Sequence, residues 1–195
     1  MRNIVVFDFD GTITQKDTLL EFIKCTKGKS CFYLGFFLHI PFLLAYKMGL
    51  YPNWKMKQQI FTYFFKGMKY EYFCQLGIDF IPVISSFIDE NRMNSLEWHK
   101  QRGDKIYIVT ASIKEWVEPW CKKHGIENVL ATLIEVDENG YLTGRLKSKN
   151  CFGSEKVKRF IEVEPNRESY FLYAYGDSAG DREIINFSDK GIWCK

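Results

Sequence analysis

Histidine and proline are scarce in this 195-residue chain, at three and five copies, and its six cysteines (Cys25, Cys31, Cys74, Cys121, Cys151, Cys194) form neither a CxxC pair nor a Cys/His ligand spacing. That cysteine spacing indicates neither a zinc site nor a disulfide framework and predicts unpaired thiols in a reducing compartment. No block of like charge stands out: 27 Lys and Arg face 24 Asp and Glu, a formal charge of +3, and the two signs read as mixed along the chain. That balance argues against a nucleic-acid partner while leaving an anionic small substrate open. No repeat or low-complexity tract occurs. The first apolar run is broken at Asp8, so no signal peptide is read, and a cytoplasmic location is expected.

A long uncharged apolar run is also missing. The nearest approach, CFYLGFFLHIPFLLAYKMGL at 31 to 50, has an uncharged part ending at Tyr46 and contains His39 and Pro41. A spanning helix needs roughly 20 residues. The segment reads first as a buried helical hairpin, and second as a greasy surface for an acyl chain or a bilayer interface with peripheral membrane association.

What is present is a set of short apolar runs, each ending in small polar residues: IVVFDFDGT from Ile4, KIYIVTAS from Lys105 and SYFLYAYGDSAGD from Ser169. Near-continuous apolar strands separated by amphipathic helices predict an α/β fold, a Rossmann-like, doubly wound parallel sheet covered on both faces. Ligands of such sheets bind off the carboxyl ends of the strands, so the three polar clusters should converge. Helices are expected at 89–103, with Met93, Leu96 and Trp98 as the apolar face, at 112–125 behind a Ser112 cap, and at 154–162 behind Ser154. Trp98, Trp116 and Trp120 read as core, and His39, His99 and His124 as packing or surface residues. Asn139-Gly140 predicts a hairpin within 133–146. Residues 15–88 show helical spacing and no strand. They read as a helical cap inserted into a core made of 1–14 and 89–195, a size that suits one core with a smaller module.

On a strand Asp8 and Asp10 point to the same side and Phe9 to the other. Adjacent carboxylates repel unless a cation lies between them or one takes a proton. Oxygen ligands favour a hard ion such as Mg2+, and Asp177 is the natural third carboxylate.

DFDGT, a downstream apolar run ending in Thr110, a lysine at a helix start and GDSAGD together resemble the four-motif pattern of the haloacid dehalogenase superfamily, in its phosphoserine-phosphatase-like branch. The resemblance implies a Mg2+-dependent phosphatase. Asp8 would attack phosphorus to form an aspartyl-phosphate, and Asp10 would protonate the leaving alcohol and later activate water. Thr110, with the amides of Ala111 and Ser112, would hold the phosphate, and Lys156 would offset its charge. The metal would be held by Asp8, the Asp10 carbonyl and Asp177, with Asp181 supporting. Gly11 and Thr12 would shape the exit from the strand. An acid at position 10 favours phosphate esters, because relatives that displace halide lack it.

The substrate signal is weaker. The glutamate that grips the amine in phosphoserine phosphatases is replaced by Asp17, and the insert offers Lys55 and Lys57 but no arginine. A phosphorylated small molecule is the expected substrate. A lipid phosphate is the alternative, since some relatives with a similar apolar stretch and a GxEKV motif (GSEKV here) act on phosphatidylglycerophosphate. A non-enzymatic Mg2+-binding phospho-acceptor or scaffold is the reading from another class; it would need neither Asp10 nor a cap. Oligomeric state is not legible.

Overall fold

The β-branched and aromatic residues before Asp8 form β1 (Arg2–Phe7), the central strand of a five-stranded, fully parallel sheet in a computed structural model that describes residues 2–194. β1 pairs with β2 (Lys105–Ile113) on one side and β6 (Tyr170–Gly176) on the other. β3 (Asn128–Thr132) and β7 (Lys190–Trp193) complete the order β3-β2-β1-β6-β7. Side chains alternate between two packed faces, which explains why the strands are apolar throughout. Val5, Phe7, Ile106 and Ile108 belong to one buried cluster, with Leu96 of α7 (Glu90–Gln101) and Trp116 and Trp120 of α8 (Lys114–Lys123). Ile4, Val6, Tyr107 and Val109 belong to the other, with Phe160 of α9 (Ser154–Val163) and Ile184 of α10 (Arg182–Phe187).

Six helices lie between β1 and α7: α1 (Thr18–Lys27), α2 (Lys29–Leu38), α3 (Ile40–Lys47), α4 (Asn53–Phe65), α5 (Tyr70–Asp79) and α6 (Ile81–Ser85). The chain enters and leaves this helical segment at one place, where Gln15 N–H donates to Phe87 O (2.8 Å) and Asp89 N–H to Ile13 O (2.8 Å). A buried aromatic cluster of Phe22, Phe65, Phe73, Phe80 and Trp116 joins the segment to α8. A hairpin of β4 (Ile134–Val136) and β5 (Leu142–Leu146), turning through Asn139-Gly140, stands outside the main sheet. It bonds to the helical segment instead: Gly67 N–H donates to Leu142 O (2.8 Å), Leu142 N–H to Met68 O (2.9 Å), and Thr62 Oγ1 to Gly144 O (2.7 Å).

Several expectations need correction. β2 continues through Ser112 to Ile113, so Ser112 lies in the strand rather than capping a helix. Ser154 is the first helical residue of α9; the cap position belongs to Gly153, whose φ of 62° suits glycine. α7 turns Leu96 and His99 inward, while Trp98 is half-exposed. Burial of His99 is compensated by Asp104 Oδ2 at Nδ1 (2.7 Å) and the Tyr175 hydroxyl at Nε2 (3.1 Å). The hairpin at 31 to 50 is not buried: α2 buries only Phe32 and Gly35, and α3 buries nothing. Nor are the charges mixed throughout, because residues 22 to 70 carry eight lysines and no acidic residue. Among the described residues the six cysteines are free.

Glu164, just past α9, ties three elements together. Its buried carboxylate accepts from the Arg2 guanidinium, from Lys105 Nζ (2.8 Å) and from the Tyr107 hydroxyl (2.7 Å). Burial pushes the carboxyl up, but the Lys105 and Tyr107 bonds outweigh it and hold Glu164 below its ordinary value of 4.5. A folded-state value below the unfolded one stabilises at neutral pH, and the gain is lost as pH falls through the folded value. Glu164→Gln is expected to lower stability by about 1–3 kcal/mol at pH 7. In thermal melts the gap between variant and parent should narrow as pH falls below 4.5 toward the lower folded-state value, where the carboxylate protonates.

Candidate active site

The β1 ladder ends with Phe7 level with Ile108 and Tyr175, which places Asp8 at the carboxyl edge of the sheet. Its N–H donates to Tyr175 O (2.9 Å) and Phe9 points into the core against Trp120. The chain then turns at Gly11 with φ of 76°, and a Cβ there would lie 2.2 Å from Asp177 Oδ2. Only glycine lets the two acidic loops approach so closely.

Asp8 is buried, and its Oδ1 lies 2.8 Å from Lys156 Nζ. That charged contact is the partner this buried oxygen has among the described side chains. Burial raises the Asp8 carboxyl, and Lys156 opposes that rise. Lys156 itself is buried between Asp8 and Asp181 Oδ1 (2.5 Å). Burial alone would lower its pKa, but the two carboxylates raise it, so the lysine stays charged. Lys158, one turn position away, points to solvent beside Glu162.

Asp10 has different surroundings. Its Oδ1 accepts Thr18 N–H at the start of α1 (3.1 Å), and its Oδ2 accepts the Ser112 hydroxyl. Ser112 Oγ lies 3.1 Å from Thr18 Oγ1, which accepts Trp116 Nε1–H (3.0 Å). Burial, followed by the charge of Asp17, raises Asp10 to about 7. No sequence motif marks Thr18, for which the start of a helix after Asp17 is the available signal, since Asp17 caps α1 through Leu20 N–H (3.0 Å). Trp116, read as core, is buried there and also donates to Thr18.

Thr110 is buried where the pairing of β2 with β3 loses register between Val109 and Ile113. Such bulges re-aim side chains beside sites. Ser112 N–H donates to Thr110 Oγ1 (3.0 Å), which leaves the threonine proton for an anion. This corrects the expected role of the Ser112 amide: it is already taken, and the serine hydroxyl instead holds Asp10. Ala111 lines the cleft, with its carbonyl accepting from Lys57 Nζ (2.5 Å). Lys57 comes from α4, and no local pattern marks it out among the lysines of the segment.

Asp177 is exposed in the cleft, and ligand oxygens of Asp8, Asp177 and Asp181 come within 4.8 Å of one another. Burial, then the nearby Asp8, raises Asp177 to about 6. Asp181 has no free oxygen: Oδ1 faces Lys156, and Oδ2 accepts from Ser178 N–H (3.0 Å), Ser178 Oγ (2.9 Å) and Asp177 N–H. The donor set fits a hard cation. Two carboxylates, Asp8 and Asp177, are available, and a third, Asp181, is locked behind them to orient the loop. The cleft above encloses about 500 Å³. Its floor is acidic, while Leu20, Phe36, Leu43, Tyr46, Met56 and Ile60 form apolar walls.

The chain is 29% identical over 188 residues to protein CicA of Caulobacter vibrioides, an alignment covering 96% of this chain and 83% of that one. A structure of unknown function from Bordetella pertussis superposes with a TM-score of 0.84 at 18% identity, covering 99% of this chain and 90% of the other. A phosphoserine phosphatase solved as a phospho-aspartyl intermediate analogue gives a TM-score of 0.68 at 19% identity, covering 98% and 86%. The model of the haloacid dehalogenase-like hydrolases matches residues 5–185, so the chain belongs to that family and shares the fold of phosphoserine phosphatases.

Proposed function

We propose that this phosphatase hydrolyses a phosphomonoester in two steps, with Asp8 as nucleophile, Asp10 as acid and base, and Mg2+ as cofactor. The observation that carries this reading is the unlike setting of two carboxylates two residues apart. Asp8 faces the charged Lys156, whereas Asp10 is held by an amide and a hydroxyl and forms no salt bridge among the described residues. One has a cation beside it that favours its anionic form against burial, and the other is placed to carry a proton. Mg2+ held by Asp8, Asp177 and the Asp10 carbonyl would offset the charge gathered by the carboxylates and the phosphoryl oxygens.

An Asp8 oxygen forms a bond to phosphorus as the ester P–O bond breaks, and Asp10 gives its proton to the departing alkoxide. Asp10 then takes a proton from water, whose oxygen attacks phosphorus and releases Asp8 and inorganic phosphate. Thr110 O–H and Lys156 stabilise the phosphoryl oxygens. Residues 15–88 act as the cap of a core made of 1–14 and 89–195, closing the cleft with Met56, Lys57 and Ile60.

Hydrolysis of para-nitrophenyl phosphate should require Mg2+, stop with chelator, and fall about 10²–10⁴-fold in Asp10→Asn. Absence of turnover with metal across a phosphomonoester panel would overturn the reading. The substrate is proposed to be a small phosphomonoester. The apolar wall of Phe36, Leu43 and Tyr46 favours a second reading, a lipid phosphate, which preferential turnover of lipid phosphates in the same panel would establish.

A further inference from the structure

The α2–α3 hairpin has two faces. Inward, Gly35 packs so tightly on α4 that a Cβ would lie 2.3 Å from Phe64 Cζ, while Phe36, Leu43 and Tyr46 line the cleft. Outward, Phe37 (68% exposed), Leu44 (56%), Met48 (72%) and Leu50 (74%) face solvent. Exposed large apolar side chains gathered on one helical hairpin are the composition of an interaction site.

The charge around it identifies the partner. Residues 22 to 70 carry eight lysines and no acid, so the rest of the chain holds 19 basic against 24 acidic residues. The positive excess therefore lies within the segment that contains this hairpin. Lys57 is turned into the cleft and Lys24 pairs with Glu21, while Lys29 and Lys47 of the hairpin's own helices and Lys55, Lys66 and Lys69 beyond them are exposed. A second copy of the chain docked symmetrically would bring this lysine-rich segment against itself, and like charges would repel. An anionic bilayer offers both an apolar interior and complementary charge. No single helix among the described residues is long and apolar enough to cross a membrane; α2 and α3, of 10 and 8 residues, meet at a 65° bend. At 1.5 Å per residue they reach about 15 and 12 Å, against the roughly 30 Å of a hydrocarbon core.

We propose that the α2–α3 hairpin is an interfacial anchor, which lies in the headgroup boundary of an anionic lipid bilayer with its lysines on the lipid phosphates. The anchor stands independently of the reaction assigned to the cleft. Since Phe36, Leu43 and Tyr46 belong to the same hairpin, docking holds one wall of the cleft at the lipid surface.

The test is sedimentation of the full chain with phosphatidylcholine vesicles, with and without about a third phosphatidylglycerol, in low and high salt. Binding is expected to the anionic vesicles, weakening as salt rises. Lys29→Gln/Lys47→Gln/Lys66→Gln should lower the partition coefficient about 100-fold, at about fivefold per lysine. Phe37→Ser/Leu44→Ser/Met48→Ser should abolish binding while thermal melts stay close to those of the parent, as expected for exposed positions. Soluble para-nitrophenyl phosphate turnover without vesicles, if present in the parent, should persist in both variants. No binding to anionic vesicles, equal binding by both variants and the parent, or vesicle-independent sedimentation through self-assembly would each overturn the proposal.

Discussion

Asp8→Asn is expected to lower kcat/KM for para-nitrophenyl phosphate by at least about 10⁴-fold while the protein stays folded. An amide oxygen is a poor nucleophile toward phosphorus, and no other carboxylate occupies this place: Asp10 is held by Thr18 and Ser112, and Asp181 by Lys156 and Ser178. Stability should not suffer. The buried Asp8 carboxyl is raised by desolvation and by Asp181, and Lys156 keeps its contact with Asp181 when Asp8 becomes neutral. Magnesium supplies a second readout, since an ion that binds only the folded state raises the melting temperature by mass action. That rise should shrink in Asp8→Asn through loss of an anionic ligand. Activity within tenfold of the parent would remove Asp8 from the chemistry, and an unchanged magnesium shift would remove it from the metal site.

Lys156→Met is expected to cost about 3–5 kcal/mol of unfolding free energy, because it leaves the carboxylates of Asp8 and Asp181 buried together with no cation between them. For a chain of this size the melting temperature should fall by about 10 °C. Methionine preserves much of the side-chain volume, so the loss reports charge rather than a cavity. Lys156→Met/Asp181→Asn should recover part of the stability, since one unpaired carboxylate is gone. The coupling in that double-mutant cycle separates the ion pair from packing. Activity should fall in both variants, with the single Lys156 change raising KM as well as lowering kcat, since the ammonium meets the phosphate before and during transfer. A single variant as stable as the parent would show that the buried pair contributes nothing to the fold.

The strands nearest the site could be read because each is buried on both faces, which leaves continuous apolar runs with an abrupt polar end. β3 and β7 at the sheet edges escaped notice: NVLAT and KGIW are short and only partly apolar. The start of α8 was misread for a related reason. Ser112 followed by Glu115 has the spacing of a helix cap, yet the β2 ladder and the bond from Ser112 to Asp10 keep it in the strand. Tertiary contacts outweighed a local signal worth about 1 kcal/mol. Trp98 was assigned to the core by size and spacing, whereas the buried place on α7 went to His99, whose polar atoms find Asp104 and Tyr175.

The sequence by itself determined the three inner strands, the two carboxylates at the end of the first, and the acidic loop at the end of the last. Those features are local, since alternation, burial and chain direction suffice to place them. Only the tertiary structure showed Lys156 buried between two carboxylates, brought Thr18 and Lys57 to the cleft, and attached the β4–β5 hairpin to the helical segment. It alone showed that much of the apolar run at 31 to 50 is left exposed, because composition records how greasy a helix is and not which neighbours cover it.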